Sequence, residues 1–148
     1  MNNEPLVIER IFNAPRAAVW DAITDNAKMK EWYFSLEEFR AEPGFEFSFV
    51  GGSEQKQYTH LCKVTLVEPG SKLAYSWSYQ GYPGYSVVTF ELFDEGDKTR
   101  LKLTHEGLNS FVTDNPDFAR ESFSQGWKEI IGTSLKTFVE KPGNEVAG

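Results

Sequence analysis

The chain has 148 residues, enough for one domain with a substantial core. Its net charge of −7 opposes phosphate backbones and anionic lipid surfaces, which argues against nucleic-acid or peripheral-membrane partners. Cys62 is alone and allows no internal disulfide, no run approaches the ~20 apolar residues of a membrane helix, and MNNEPLVIER is not a secretory signal, so a soluble cytoplasmic protein is expected.

Leu6 to Phe12 mixes apolar and charged residues and reads as a first strand. Asn13 offers a helix cap and Pro15 suits a first helical turn, so a short helix is expected over Arg16 to Thr24. A second short helix follows from about Asn26 to Glu31, and a short strand is possible over Ser35 to Arg40. Phe45, Phe47 and Phe49 alternate with polar residues and mark a strand. Gly51 to Gln57 reads as a polar hairpin loop. His60, Cys62, Val64 and Leu66 share one face of the next strand. In the following one Leu73, Tyr75, Trp77 and Tyr79 alternate with small or polar residues.

Val88, Phe90 and Leu92 share a face of another strand, and Leu101, Leu103 and His105 a face of the last. Gly107 to Phe123 is a long connection. Ser122-x-x-Gln125 has capping-box form, and the final helix is expected over Ser124 to Glu140. Its apolar residues Trp127, Ile130, Ile131, Leu135, Phe138 and Val139 fall at three- and four-residue steps, while Lys128, Glu129, Thr133, Lys136 and Glu140 take the opposite face. Lys141-Pro142-Gly143 ends it. One strand, two short helices, a hairpin series and a long helix give an α+β domain. Its sheet has one aromatic face, which the last helix must cover. The aromatic share of 15% serves either a bulky core or the walls of an apolar cavity.

IERIFNAPRAAVWDAITDNAKMKEWY, LVEPGSKLAYSW, TRLKLTHEGL and GWKEIIGTSLKTFVE, in that order, resemble the helix-grip superfamily of START-like and polyketide-cyclase-like proteins. Within it the chain is similar to relatives of the activator of the heat-shock-protein-90 ATPase, over roughly Leu6 to Glu140. The resemblance implies a curved sheet of about seven strands around the last helix. It also implies a cavity between them, used in related folds for lipids, sterols, polyketides or hormones and sometimes for cyclisation. No additional N-terminal domain like that of the eukaryotic activator is expected.

These readings leave three functions from different classes. The first is a carrier or sensor for a small apolar or aromatic ligand. Its pocket would be lined by Trp20, Trp32, Phe34, Phe47 and Tyr75. Trp77, Phe123, Trp127 and Ile131 would complete it. The second is a cyclase- or hydrolase-like enzyme using His105 or Tyr75 in the same pocket. The third is an interaction protein with a chaperone partner. No cofactor is expected. His60, Cys62 and His105 are the only soft donors and would hold a metal only if their strands were neighbours in register, so no metal is expected either. His105 is expected to reach Trp127 with one hydrogen bond. Glu31, Glu37 and Glu38 read as an exposed acidic loop, and no phosphate loop or nucleophile elbow is present. Gly132, inside the final helix, either lets the helix cross a strand closely or enlarges the cavity floor.

Overall fold

The computed structural model describes residues 5–25, 28–29, 32, 39–52, 57–82, 84–107, 111 and 120–140. Among them the strands are β1 (Leu6–Phe12), β2 (Glu46–Gly52), β3 (Gln57–Glu68), β4 (Lys72–Tyr79), β5 (Ser86–Glu95) and β6 (Lys98–Glu106). They form one curved, open antiparallel sheet in the order β1-β6-β5-β4-β3-β2. Helix α1 (Arg16–Thr24) follows β1, and α2 (residues 120–140) ends the described chain. This is the helix-grip arrangement, with six strands described where the resemblance implied about seven. The expected strand over Ser35 to Arg40 lies largely outside the described residues, and Phe39 and Arg40 are not in a strand. The second short helix is also mostly outside them, although Lys28, Met29 and Trp32 are helical.

Period-two alternation builds the sheet's inner face. Ile8, Phe12, Val64, Tyr75, Val88, Phe90, Leu101 and Leu103 are buried there. The alternation breaks in β3, where the register against β4 shifts between Val64 and Leu66. An extra residue in one strand turns every later side chain to the other face. Leu66, expected inward, is therefore exposed.

Three expectations about the helices need correction. Asn13 does not cap α1: the N-cap is Pro15 with no side-chain cap, and the Asn13 N–H instead reaches Glu140 Oε2 at 2.7 Å. Helix α2 begins by Arg120, so Ser122 lies within it rather than at its cap. Nor is α2 uniform: it is α-helical over Arg120–Glu129, π-helical over Ile130–Leu135 and α-helical again over Lys136–Glu140. The buried residues explain the π segment. Phe123, Trp127, Ile131, Leu135 and Val139 are all buried and are spaced strictly by four. On a helix of 3.6 residues per turn such a row drifts by ~40° per step. A wider turn takes some of that drift back and keeps the row against the sheet.

Candidate functional site

Between β2–β6 and α2 lies a continuous mesh of rings. Phe47 meets Tyr75 edge-on at 5.1 Å, and Phe49 meets Trp77 at 5.7 Å. Trp77 meets Trp127 of α2 at 5.2 Å, and Phe90 meets the same indole at 6.0 Å. Phe123 packs against His105 at 5.4 Å. Of the sequence-predicted lining residues, Phe47, Tyr75, Trp77, Phe123 and Trp127 therefore meet in one mesh, and Ile131 is fully buried against the same core. Trp20 is half-buried on α1. Trp32 is buried and donates its indole N–H to the Ala22 carbonyl at 2.8 Å, which ties it to α1. Phe34 lies outside the described residues. Phe45 packs on Phe39 and Phe47, away from the part of the mesh that touches α2.

At the centre runs a chain of polar groups. The Trp127 indole N–H donates to His105 Nδ1 at 3.0 Å, as expected. Ser86 Oγ stands 2.8 Å from His105 Nε2 and donates to the Trp77 carbonyl at 2.9 Å. Indole is only a donor, so Nδ1 must accept. A neutral imidazole then carries its proton on Nε2 and gives it to Ser86 Oγ, whose own proton goes to Trp77. Every hydrogen bond in the chain thus has one donor and one acceptor. Burial pushes the His105 pKa down to about 3, so the ring is neutral at pH 7.

Serine beside histidine invites comparison with a hydrolase, but the proton is in the wrong place. A general base must take the hydroxyl proton on an unprotonated Nε2, with an acid orienting Nδ1–H. Here Nδ1 is engaged by a donor, and Nε2 holds the proton. His105 is arranged to hold the helix to the sheet. Ser86 was not legible as its partner, because the pairing exists only across the β5–β6 ladder.

The second histidine is a neighbour of the mesh. His60 stacks on Phe49 at 4.5 Å and meets Trp77 at 4.9 Å, with its Nδ1 donating to the Tyr58 carbonyl at 3.1 Å. Burial pushes its pKa down to about 4. Burial also pushes the Cys62 thiol up, so it stays protonated and unreactive. His60 and Cys62 lie on β3 and His105 on β6, with β4 and β5 between, so the neighbour-strand condition for a shared metal is not met. No cluster of three His, Cys, Asp or Glu suited to a metal occurs among the described residues.

Two open depressions formed by described residues lie elsewhere. One of about 430 Å³ sits where Ser48, Leu61, Lys63 and Ser76 meet on the outer side of β2–β4. Another of about 530 Å³ is lined by Arg16, Glu91, Asp94 and Arg100 at the end of the sheet. The described residues beneath α2 are packed ring to ring. No described helix is long and apolar enough to cross a membrane.

The family model described as Activator of Hsp90 ATPase homolog 1-like protein matches residues 13–140. No curated protein matches. Among solved structures, protein MLL2253 from Mesorhizobium loti is similar with a TM-score of 0.78 and 25% identity, covering 93% of this chain and 98% of its own. CalU16 from Micromonospora echinospora has a TM-score of 0.70 and 25% identity, covering 91% of this chain and 75% of its own. Protein CV1439 from Chromobacterium violaceum reaches 0.78 at 20% identity over 95% and 99% of the two chains, a likeness of fold alone. With strand order, gripped helix and family match in agreement, the chain belongs to the Activator of Hsp90 ATPase homolog 1-like family of START-like helix-grip proteins.

Proposed function

We propose that this protein is a cytoplasmic binding protein, a carrier or sensor, for a small uncharged apolar or aromatic molecule held between the sheet and α2. The observation that carries this reading is the character of the surface between them. It is built of rings, and its central polar side chains are paired with one another rather than poised for chemistry. Apolar burial at ~25 cal/mol per Å² would supply the affinity. Trp20 and Trp32 are proposed to line it from the α1 side, and Phe47, Tyr75, Trp77, Phe123, Trp127 and Ile131 from the interior; Phe34 is proposed as a lining residue from the sequence alone. Where the described rings are in contact, a ligand ring is proposed to enter by displacing one of them. The enzyme reading loses support from the His105 tautomer, and nothing in the described residues favours a chaperone contact.

Native mass spectrometry of freshly purified protein tests the proposal, together with a titration of a hydrophobic probe followed by chemical-shift mapping. A retained small molecule, or shifts at Tyr75, Trp77 and Trp127, supports it. An empty protein whose mesh ignores every probe sinks it.

A further inference from the structure

One ring of the mesh is held differently from its neighbours. Phe111 belongs to neither a strand nor a helix, yet it is buried. It stacks on Phe123 of α2 at 5.6 Å and meets Tyr79 of β4 edge-on at 5.5 Å. Its third neighbour is the backbone of Gly84. A Cβ at Gly84 would stand 2.3 Å from Phe111 Cδ1, and Gly84 has φ +122°, so both space and backbone require glycine there. The chain leaves β6 through Gly107, at φ +91°, where a Cβ would meet the Tyr85 carbonyl oxygen at 2.8 Å. Of the two glycines, Gly84 is the one that makes room for this ring.

The seat has the shape of a ring-binding slot. It has a flat glycine wall, a stacking face from Phe123 and an edge-on contact from Tyr79. These are the geometries that aromatic rings prefer. Its described side chains, Phe123 and Tyr79, carry no charge, and the groups behind them are paired: the Tyr79 hydroxyl takes the Trp77 indole N–H at 2.8 Å, and Phe123 backs onto His105.

We propose that Phe111 is a built-in occupant of an aromatic subsite, and that the uncharged ring of a ligand takes this seat when Phe111 leaves it. The inference rests on the binding reading above and names the part of the ligand that is recognised. A site filled by its own side chain binds with an affinity lowered by the fraction of time the seat is open. Removing Phe111 removes that competition.

The test uses the full chain with 4-fluorophenylalanine at position 111 and toluene as the probe. Toluene is expected to move the fluorine resonance from a buried towards a solvent-exposed shift. Phe111→Ala is expected to bind toluene at least tenfold more tightly than the wild type. Phe111→Leu, which keeps apolar bulk without a flat face, should gain less. If toluene perturbs Trp127 in the wild type while the position-111 resonance stays put, Phe111 is a fixed wall; the proposal falls and the binding reading survives. If toluene perturbs nothing in either protein, the proposal falls, and the binding reading falls with it only where the purified protein also holds no molecule and ignores every other probe. The labelled wild-type experiment decides even where the alanine variant does not fold.

Discussion

The indole of Trp127 and the imidazole of His105 join the last helix to the sheet through one hydrogen bond of 3.0 Å, and the donor sits on the helix. That direction sets the histidine tautomer, because an indole cannot accept. Trp127→Phe keeps most of the ring but leaves Nδ1 buried without this donor. A loss of ~2 kcal/mol in unfolding free energy is expected, in the range for an orphaned buried acceptor plus altered packing. Urea unfolding measures it. Imidazole ¹⁵N shifts of the wild type should show the Nε2–H form, and an Nδ1–H form would overturn the assignment of the His105 proton to Nε2.

The two buried histidines make stability depend on pH. Burial lowers His105 to about 3 and His60 to about 4, from an ordinary 6.5. Below pH 6.5 the unfolded chain therefore binds protons that the folded chain refuses. Their contribution is fully present above that value and is lost as pH falls towards 4 and then 3. Each histidine can contribute a slope of at most ~1.4 kcal/mol per pH unit in its window. Unfolding midpoints at pH 7, 5.5 and 4.5 should decline steadily, and His105→Gln should flatten the decline. A midpoint that does not change over this range would mean that neither ring is buried in neutral form.

The strands were legible because alternation is a local property: the span expected for β1 matches the structure residue for residue, and the alternating run from Leu73 to Tyr79 lies wholly within β4. The bulge after Val64 was not legible, since one extra residue shows only against a partner strand. The π segment left a trace in the fourfold spacing from Phe123 to Val139, which a search for ordinary helical steps passes over. The ring mesh was half visible. Tyr75, Trp77 and Trp127 were readable from their stripes, whereas Ser86 and Phe111 owe their places to contacts distant in sequence. Lys136 and Glu140 looked like a solvent face, and the structure gives them a different task.

That task is to cover the C-terminal end of β1, an edge strand among the described residues. The Lys136 ammonium donates to the Ile11 carbonyl at 3.4 Å, and Glu140 accepts the Asn13 N–H at 2.7 Å. The two side chains also pair with each other at 2.6 Å. Burial opposes the charge on Glu140, but the Asn13 N–H and the Lys136 ammonium outweigh it and hold its carboxyl below the usual range. Val7 and Ile11 on the same strand are exposed, and an uncovered edge with such residues invites pairing with another chain. Lys136→Ala with Glu140→Ala should therefore raise self-association, read by sedimentation velocity, with a modest stability loss of about 1 kcal/mol. A double variant that stays as monodisperse as the wild type would show that the edge needs no such cover.

Gly132 settles between its two readings by what it faces. A Cβ there would meet Arg10 Nε of β1 at 3.3 Å, so the glycine leaves room for that side chain where the π segment crosses β1. The obstructing atom is near the end of a flexible side chain that is only half-buried, and it can yield. Glycine inside a helix costs ~1 kcal/mol relative to alanine. Gly132→Ala is therefore expected to raise unfolding free energy by about 0.5 kcal/mol after Arg10 moves aside, with probe binding unchanged. Paired urea curves and probe titrations measure both quantities. Weaker probe binding without a stability loss would return Gly132 to the ligand site and remove the close-crossing account.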